Sequence, residues 1–221
     1  MAKKCYMCDK DATTVEHVPP RCIFPESKDS NGIDYKKNLI TVPSCEEHNN
    51  SKSTDDTYLR DILAMVVTSS PLGKPQFEKK TMKQASRKPA LMNDMLKKSA
   101  PYKVSFDDGV TRQPTIGIRV DDDRLQNSFE CMARALYYHE KNEKFTGKSI
   151  NVIPLFLFNK DLQETKEQFA NVVDSVMNQN SILPKGDNPD IFYYQFCENA
   201  DGSIFIKLVF YGSSRCYVVM N

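Results

Sequence analysis

Two short pairs of soft side chains open this chain: Cys5-Tyr-Met-Cys8 and Cys45-Glu-Glu-His48. In each pair the ligands stand three positions apart, so one turn of backbone can present both to the same ion. A lone Cys-x2-Cys reads equally well as a redox pair, but two such pairs supply the four ligands of a tetrahedral zinc site. Between Cys8 and Cys45 lie 36 residues. A segment this small buries little apolar surface, and an ion tying its ends together would fix its geometry.

Between the two pairs lies a polar set that structural zinc does not require: Glu16-His17 before Val18-Pro19-Pro20, then Asn38-Leu39, then His48-Asn49-Asn50-Ser51-Lys52. Over residues 5–56 the order Cys-x2-Cys, Glu-His-Val-Pro-Pro, Asn-Leu, Cys-x2-His-Asn-Asn-Ser-Lys resembles the HNH endonucleases of the ββα-metal type, in the variant whose last signature residue is Asn. His48 reads either as the final His of that signature or as the fourth zinc ligand. Counting from Cys45 gives it to zinc and leaves His17, Asn38 and Asn49 as the triplet.

That resemblance implies metal-dependent hydrolysis of DNA phosphodiester bonds, with His17 as general base and Asn38 orienting the loop that carries it. Glu16 and Asn49 would hold a catalytic Mg2+ or Mn2+, beside a structural Zn2+ on Cys5, Cys8, Cys45 and His48. The residue types suit the task. A neutral imidazole accepts a proton from water near neutral pH, and a hard divalent ion prefers oxygen ligands. Most family members carry Asp where this chain has Glu16. Adjacent strand residues point to opposite faces, so Glu16 and His17 share one phosphate only if the strand ends or bends there, and Pro19-Pro20 predicts such an ending.

Taken singly, each residue has a plainer role: His17 a satisfied loop histidine, Asn38 a turn former, Asn49 and Asn50 the polar start of a helix. Cys22 reads as a small buried apolar side chain. A zinc-stabilised nucleic-acid-binding module without catalysis, or an RNase, is the alternative reading of the whole set.

The elements that must position these groups follow from the rest of the 221 residues. Lys and Arg number 30 against 29 Asp and Glu, so net charge excludes a polybasic coat protein or an acidic tail. MAKKCYMCDK lacks the apolar run of a signal peptide, and no stretch approaches a bilayer span, which predicts a cytoplasmic protein with no membrane contact. Tyr58, Leu59, Ile62, Leu63, Val66 and Val67 recur at helical spacing over about 55–68, with Ser53 and Asp56 as a capping signal. Residues 74–98 hold eight Lys/Arg against two acids. Lys52 and the members Lys79, Lys80, Lys83, Arg87 and Lys88 are the expected phosphate-backbone contacts.

From about 101 the pattern turns α+β, with extended runs at 102–106, 115–120, 151–158, 191–197, 203–211 and 215–220. Two helices carry stripes predicted to be core: Leu125, Phe129, Met132 and Leu136, then Leu162, Phe169, Val172, Val173 and Val176. Cys131-Met-Ala-Arg-Ala-Leu-Tyr-Tyr-His139 resembles a segment that follows the zinc-HNH module in bacterial HNH proteins of unassigned role. The expected architecture is α+β: a zinc-clipped HNH module over 1–56, a helical, locally basic connector over 57–100, and an α+β domain with antiparallel strands over 101–221. The last is the expected site of self-association or of a partner protein, and bacterial or phage defence would suit the whole.

Overall fold

The computed structural model describes residues 3–66, 77–87, 97, 99–105 and 112–221. The fold is mixed α+β, with strands, helices and a Cys/His cluster at the N-terminal end and a five-stranded antiparallel sheet at the C-terminal end.

Strands β1 (Thr14–Val18) and β2 (Ile40–Ser44) pair antiparallel, with Glu16 opposite Val42 and His17 opposite Thr41. Both alternate between exposed and buried positions, the signature of a hairpin with one face on a core. Helix α1 (Glu46–Asn50) follows at once, then α2 (Ser53–Met65), a π turn over Phe77–Thr81, and α3 (Met82–Arg87). Helix α2 starts two residues before the expected position. Lys52 is its N-cap and makes no side-chain capping bond, so the predicted Ser53/Asp56 capping box does not form.

A second hairpin pairs β3 (Ser99–Ser105) with β4 (Arg112–Ile118). Helix α4 (Asp122–Lys141) begins where its acidic N-terminus predicts, with the Asp121 side chain accepting the Arg124 N–H. The sheet then runs in the order β5 (Ile150–Pro154), β9 (Ser214–Met220), β8 (Ile204–Phe210), β7 (Phe192–Glu198), β6 (Lys185–Asn188). Strand β6, an exposed edge of sequence Lys-Gly-Asp-Asn, has no apolar alternation by which sequence could find it. Between β8 and β9, Tyr211 and Gly212 both take positive φ (50° and 74°), the twist a tight hairpin turn requires.

Helix α4 lies against the first hairpin and α2 as well as β5 and β9. Its residues Leu125, Phe129, Met132 and Leu136 are buried as expected, in one cluster with Val18, Ile23 and Phe24 on one side and Ile206, Leu208 and Phe210 on the other. The three sequence segments thus share a core. Helix α5 (Gln163–Gln179) covers the opposite face of the sheet with Ala170, Val173 and Met177 against Tyr217 and Cys197. The predicted stripe of α5 is corrected here: Val172 and Leu162 are 59% and 51% exposed. Among the described residues no helix is long and apolar enough to cross a membrane.

Candidate functional site

The cysteine pairs are brought together by the two ends of the hairpin. The loop bearing Cys5 and Cys8 docks on β2 through the Tyr6 N–H, which donates to the Pro43 carbonyl at 2.9 Å. Cys45 follows β2 as the N-cap of α1, and His48 stands on α1 three residues later. The ligand atoms of Cys5, Cys8, Cys45 and His48 all lie within 4.8 Å of one another. Cys8 Sγ and Cys45 Sγ are 3.9 Å apart, and His48 Nδ1 is 3.2 Å from Cys45 Sγ and 3.6 Å from Cys5 Sγ. A tetrahedron with zinc–sulfur bonds of ~2.3 Å has edges of roughly 3.8 Å. The Cys3His donor set therefore fits a zinc-like ion.

Burial pushes the Cys5 thiol up, but the backbone N–H groups of Met7, Cys45 and Cys8 outweigh it and bring the thiol down to about 6. A thiolate is the ligand form. The remaining cysteines are plainer: Cys22 is half-buried, its thiol raised to about 11 by burial, and it reaches the Asp56 carbonyl at 3.5 Å.

Strand alternation separates the two residues the family signature joins. His17 lies on the outward face of β1, opposite exposed Thr41, and among the described residues its ring makes no hydrogen bond. Partial burial, and after it the charge of Arg21 four residues on, hold the imidazole below its ordinary value. It is therefore a neutral base at neutral pH.

Glu16 faces inward, 4% exposed. Its Oε1 is 2.7 Å from Lys52 Nζ, and both side chains are almost wholly buried. Asp56, four residues along, lies 3.8 Å from the same ammonium. Burial raises both carboxyls, and Lys52 opposes that rise. Two expectations are corrected by this geometry. Glu16 does not stand on the His17 face, and Lys52, 3% exposed, does not face a nucleic acid.

Asn49 is half-buried on α1, its Nδ2 donating to Thr14 Oγ1 at 3.1 Å, on the same side of β1 as Glu16. Asn38 is an exposed turn residue with φ 53°, two positions before β2, and among the described residues its side chain makes no hydrogen bond. The structure thus brings Asn49, Glu16 and Lys52 to the inner side of β1 and places His17 on the other. The donor set assigned to a catalytic divalent ion is not brought to the His17 face: Glu16 is buried with Oε1 on Lys52, and its Oε2 makes no hydrogen bond among the described residues.

Arg21 is the site residue that sequence reasoning missed. It opens the short 3-10 turn Arg21–Ile23 directly after Pro19-Pro20, and its position four residues beyond His17 was the available signal.

The basic residues form a cleft of about 910 Å³ lined by Lys28, Arg60, Lys79, Lys80, Lys83 and Arg87, with Glu26, Asp29 and Glu78 among them. Lys79 pairs with Asp29 at 3.1 Å. Lys80 is half-buried, donates to the Phe24 carbonyl at 3.3 Å, and is held below its ordinary value by burial and by the neighbouring charge of Lys36. Lys83 and Arg87 are exposed. Lys88 lies outside the described residues. No protein-family model, curated protein or solved structure matches this chain.

Proposed function

We propose that this protein is an HNH-type endonuclease that hydrolyses phosphodiester bonds in DNA. One observation carries the reading: a hairpin and helix closed by a Cys3His cluster present on their outer face the imidazole of His17, held below its ordinary value and without a hydrogen bond among the described residues. His17 would take the proton from the attacking water, and the Arg21 guanidinium beside it would oppose the charge that builds on the phosphoryl oxygens. The basic cleft with Lys79, Lys80, Lys83 and Arg87 would hold the phosphate backbone without reading sequence. Zinc, held by Cys5, Cys8, Cys45 and His48, would keep the hairpin closed.

One observation favours a second reading, a zinc-stabilised nucleic-acid-binding module without catalysis. The carboxylate that family members direct at an ion is here buried away from the His17 face, with Oε1 on Lys52. Plasmid cleavage by wild type and His17→Ala, with and without EDTA and with added magnesium, manganese or nickel, separates the two. A nuclease loses activity by about 10²-fold or more in His17→Ala. A binding module shows no cleavage in either protein and equal retardation of DNA in both. Labelled RNA, single-stranded and double-stranded DNA in parallel identify the substrate.

A further inference from the structure

Three groups from β1 and the start of α2 meet behind the candidate base: Glu16 on β1, Lys52 as the N-cap of α2, and Asp56 in its first turn. The ion pair at 2.7 Å is shielded to 4% and 5% side-chain exposure. The second carboxylate stands off at 3.8 Å. Tyr6 and Cys131, both buried, flank the group. A buried ammonium that loses its close partner is left with an uncompensated charge, so rotating Glu16 outward toward an ion is opposed by the burial of Lys52.

We infer that Glu16 and Lys52 form a buried tie that fixes which face of β1 turns outward, making both of them positioning residues for His17. With a side-chain period of two, pinning Glu16 inward forces its neighbour outward. Because Lys52 is also the N-cap of α2 and lies four residues past the zinc ligand His48, the tie sets strand, zinc cluster and helix in one register. Its consequence for catalysis rests on the nuclease reading; the tie itself does not.

The test is a double-mutant cycle on the full, zinc-loaded chain: Glu16→Gln, Lys52→Met and both together, with Lys52→Arg as the conservative variant. Thermal unfolding, the His17 ring signals in NMR and binding of manganese(II) alone by EPR are read in each. Breaking a buried pair from one side should lower Tm by about 6–20 °C, and the double variant should fall by less than the two singles combined. The His17 signals should move in both single variants and return in Lys52→Arg, while Glu16→Gln leaves manganese(II) binding where it is in wild type. If a single variant does not fold, folding of the double variant supports the tie and its failure overturns it. The tie is also overturned if Glu16→Gln keeps Tm and the His17 signals in place and weakens manganese(II) binding about tenfold or more. Wild type that cleaves no nucleic acid ends the nuclease reading, and the cycle still decides the tie.

Discussion

The two ends of this molecule are held by different physics. The C-terminal sheet buries apolar side chains on both faces, with Ile204, Ile206, Leu208 and Phe210 turned toward α4 and Tyr217 and Cys197 toward α5. The first fifty residues offer fewer apolar side chains and place polar groups inside instead: four side chains that could hold a metal ion and a buried Glu16–Lys52 pair. A core of hydrocarbon tolerates small displacements, because its attraction has no direction. Thiolates, imidazole and an ion pair hold only at fixed distances, which makes the N-terminal end the place where a side chain such as His17 can be aimed.

Removing zinc is the most severe way to break the contrast. The ion is expected to contribute about 10 kcal/mol or more to the fold of the residues it clamps. A strong chelator, or Cys45→Ala, should therefore erase hydrogen-exchange protection over residues 3–50 while β7, β8 and β9 keep theirs. Equal loss in both regions would show that the two ends do not differ as described.

The sheet is probed by Leu208→Ala, at a fully buried position. Loss of that side chain should cost about 2–5 kcal/mol, seen as a lowered denaturation midpoint, with zinc content unchanged. A buried bond runs between the regions, from the Tyr211 hydroxyl to the Ile23 carbonyl at 2.7 Å. Tyr211→Phe should cost about 0.5–1.5 kcal/mol and raise exchange in the connection between β1 and β2, where Ile23 lies, more than in the sheet.

The finest test concerns pH. Burial and Arg21 both place the His17 imidazole below its ordinary value of 6.5. A base works when unprotonated, so the proposed cleavage should hold as pH falls to that ordinary value and decline only below it. Arg21→Ala removes one of the two causes and should move the acid limb of kcat/KM upward. The linked stability has the same sign: the unfolded chain binds the His17 proton more readily, so this contribution is present above the ordinary value and lost as pH falls through the folded one.

Much of the candidate site was legible because its signals are local. Cys-x2-Cys and Cys-x2-His state their geometry in three residues, and all four ligands do converge. The helical stripe of α4 and the strands β7, β8 and β9 were equally readable, since each repeats one period over seven or more residues. Strand β6 was not, having no apolar pattern, and the stripe of α5 was misjudged at Val172, where apolar character does not say which face the sheet will cover.

Sequence alone determined that a cluster able to hold an ion would close the opening residues, because the ligands and their spacing are written into the chain; that β1 runs on regularly to Val18, so that Glu16 and His17 diverge where Pro19-Pro20 predicted a shared phosphate, came from the structure. Which of the two would turn inward was decided only by the tertiary structure. Lys52, 36 residues after Glu16 in sequence, is buried by the packing of α2 and α4 and needs an anion within reach. A buried ammonium cannot be left unpaired, so it draws in the carboxylate of Glu16 and leaves the imidazole outside.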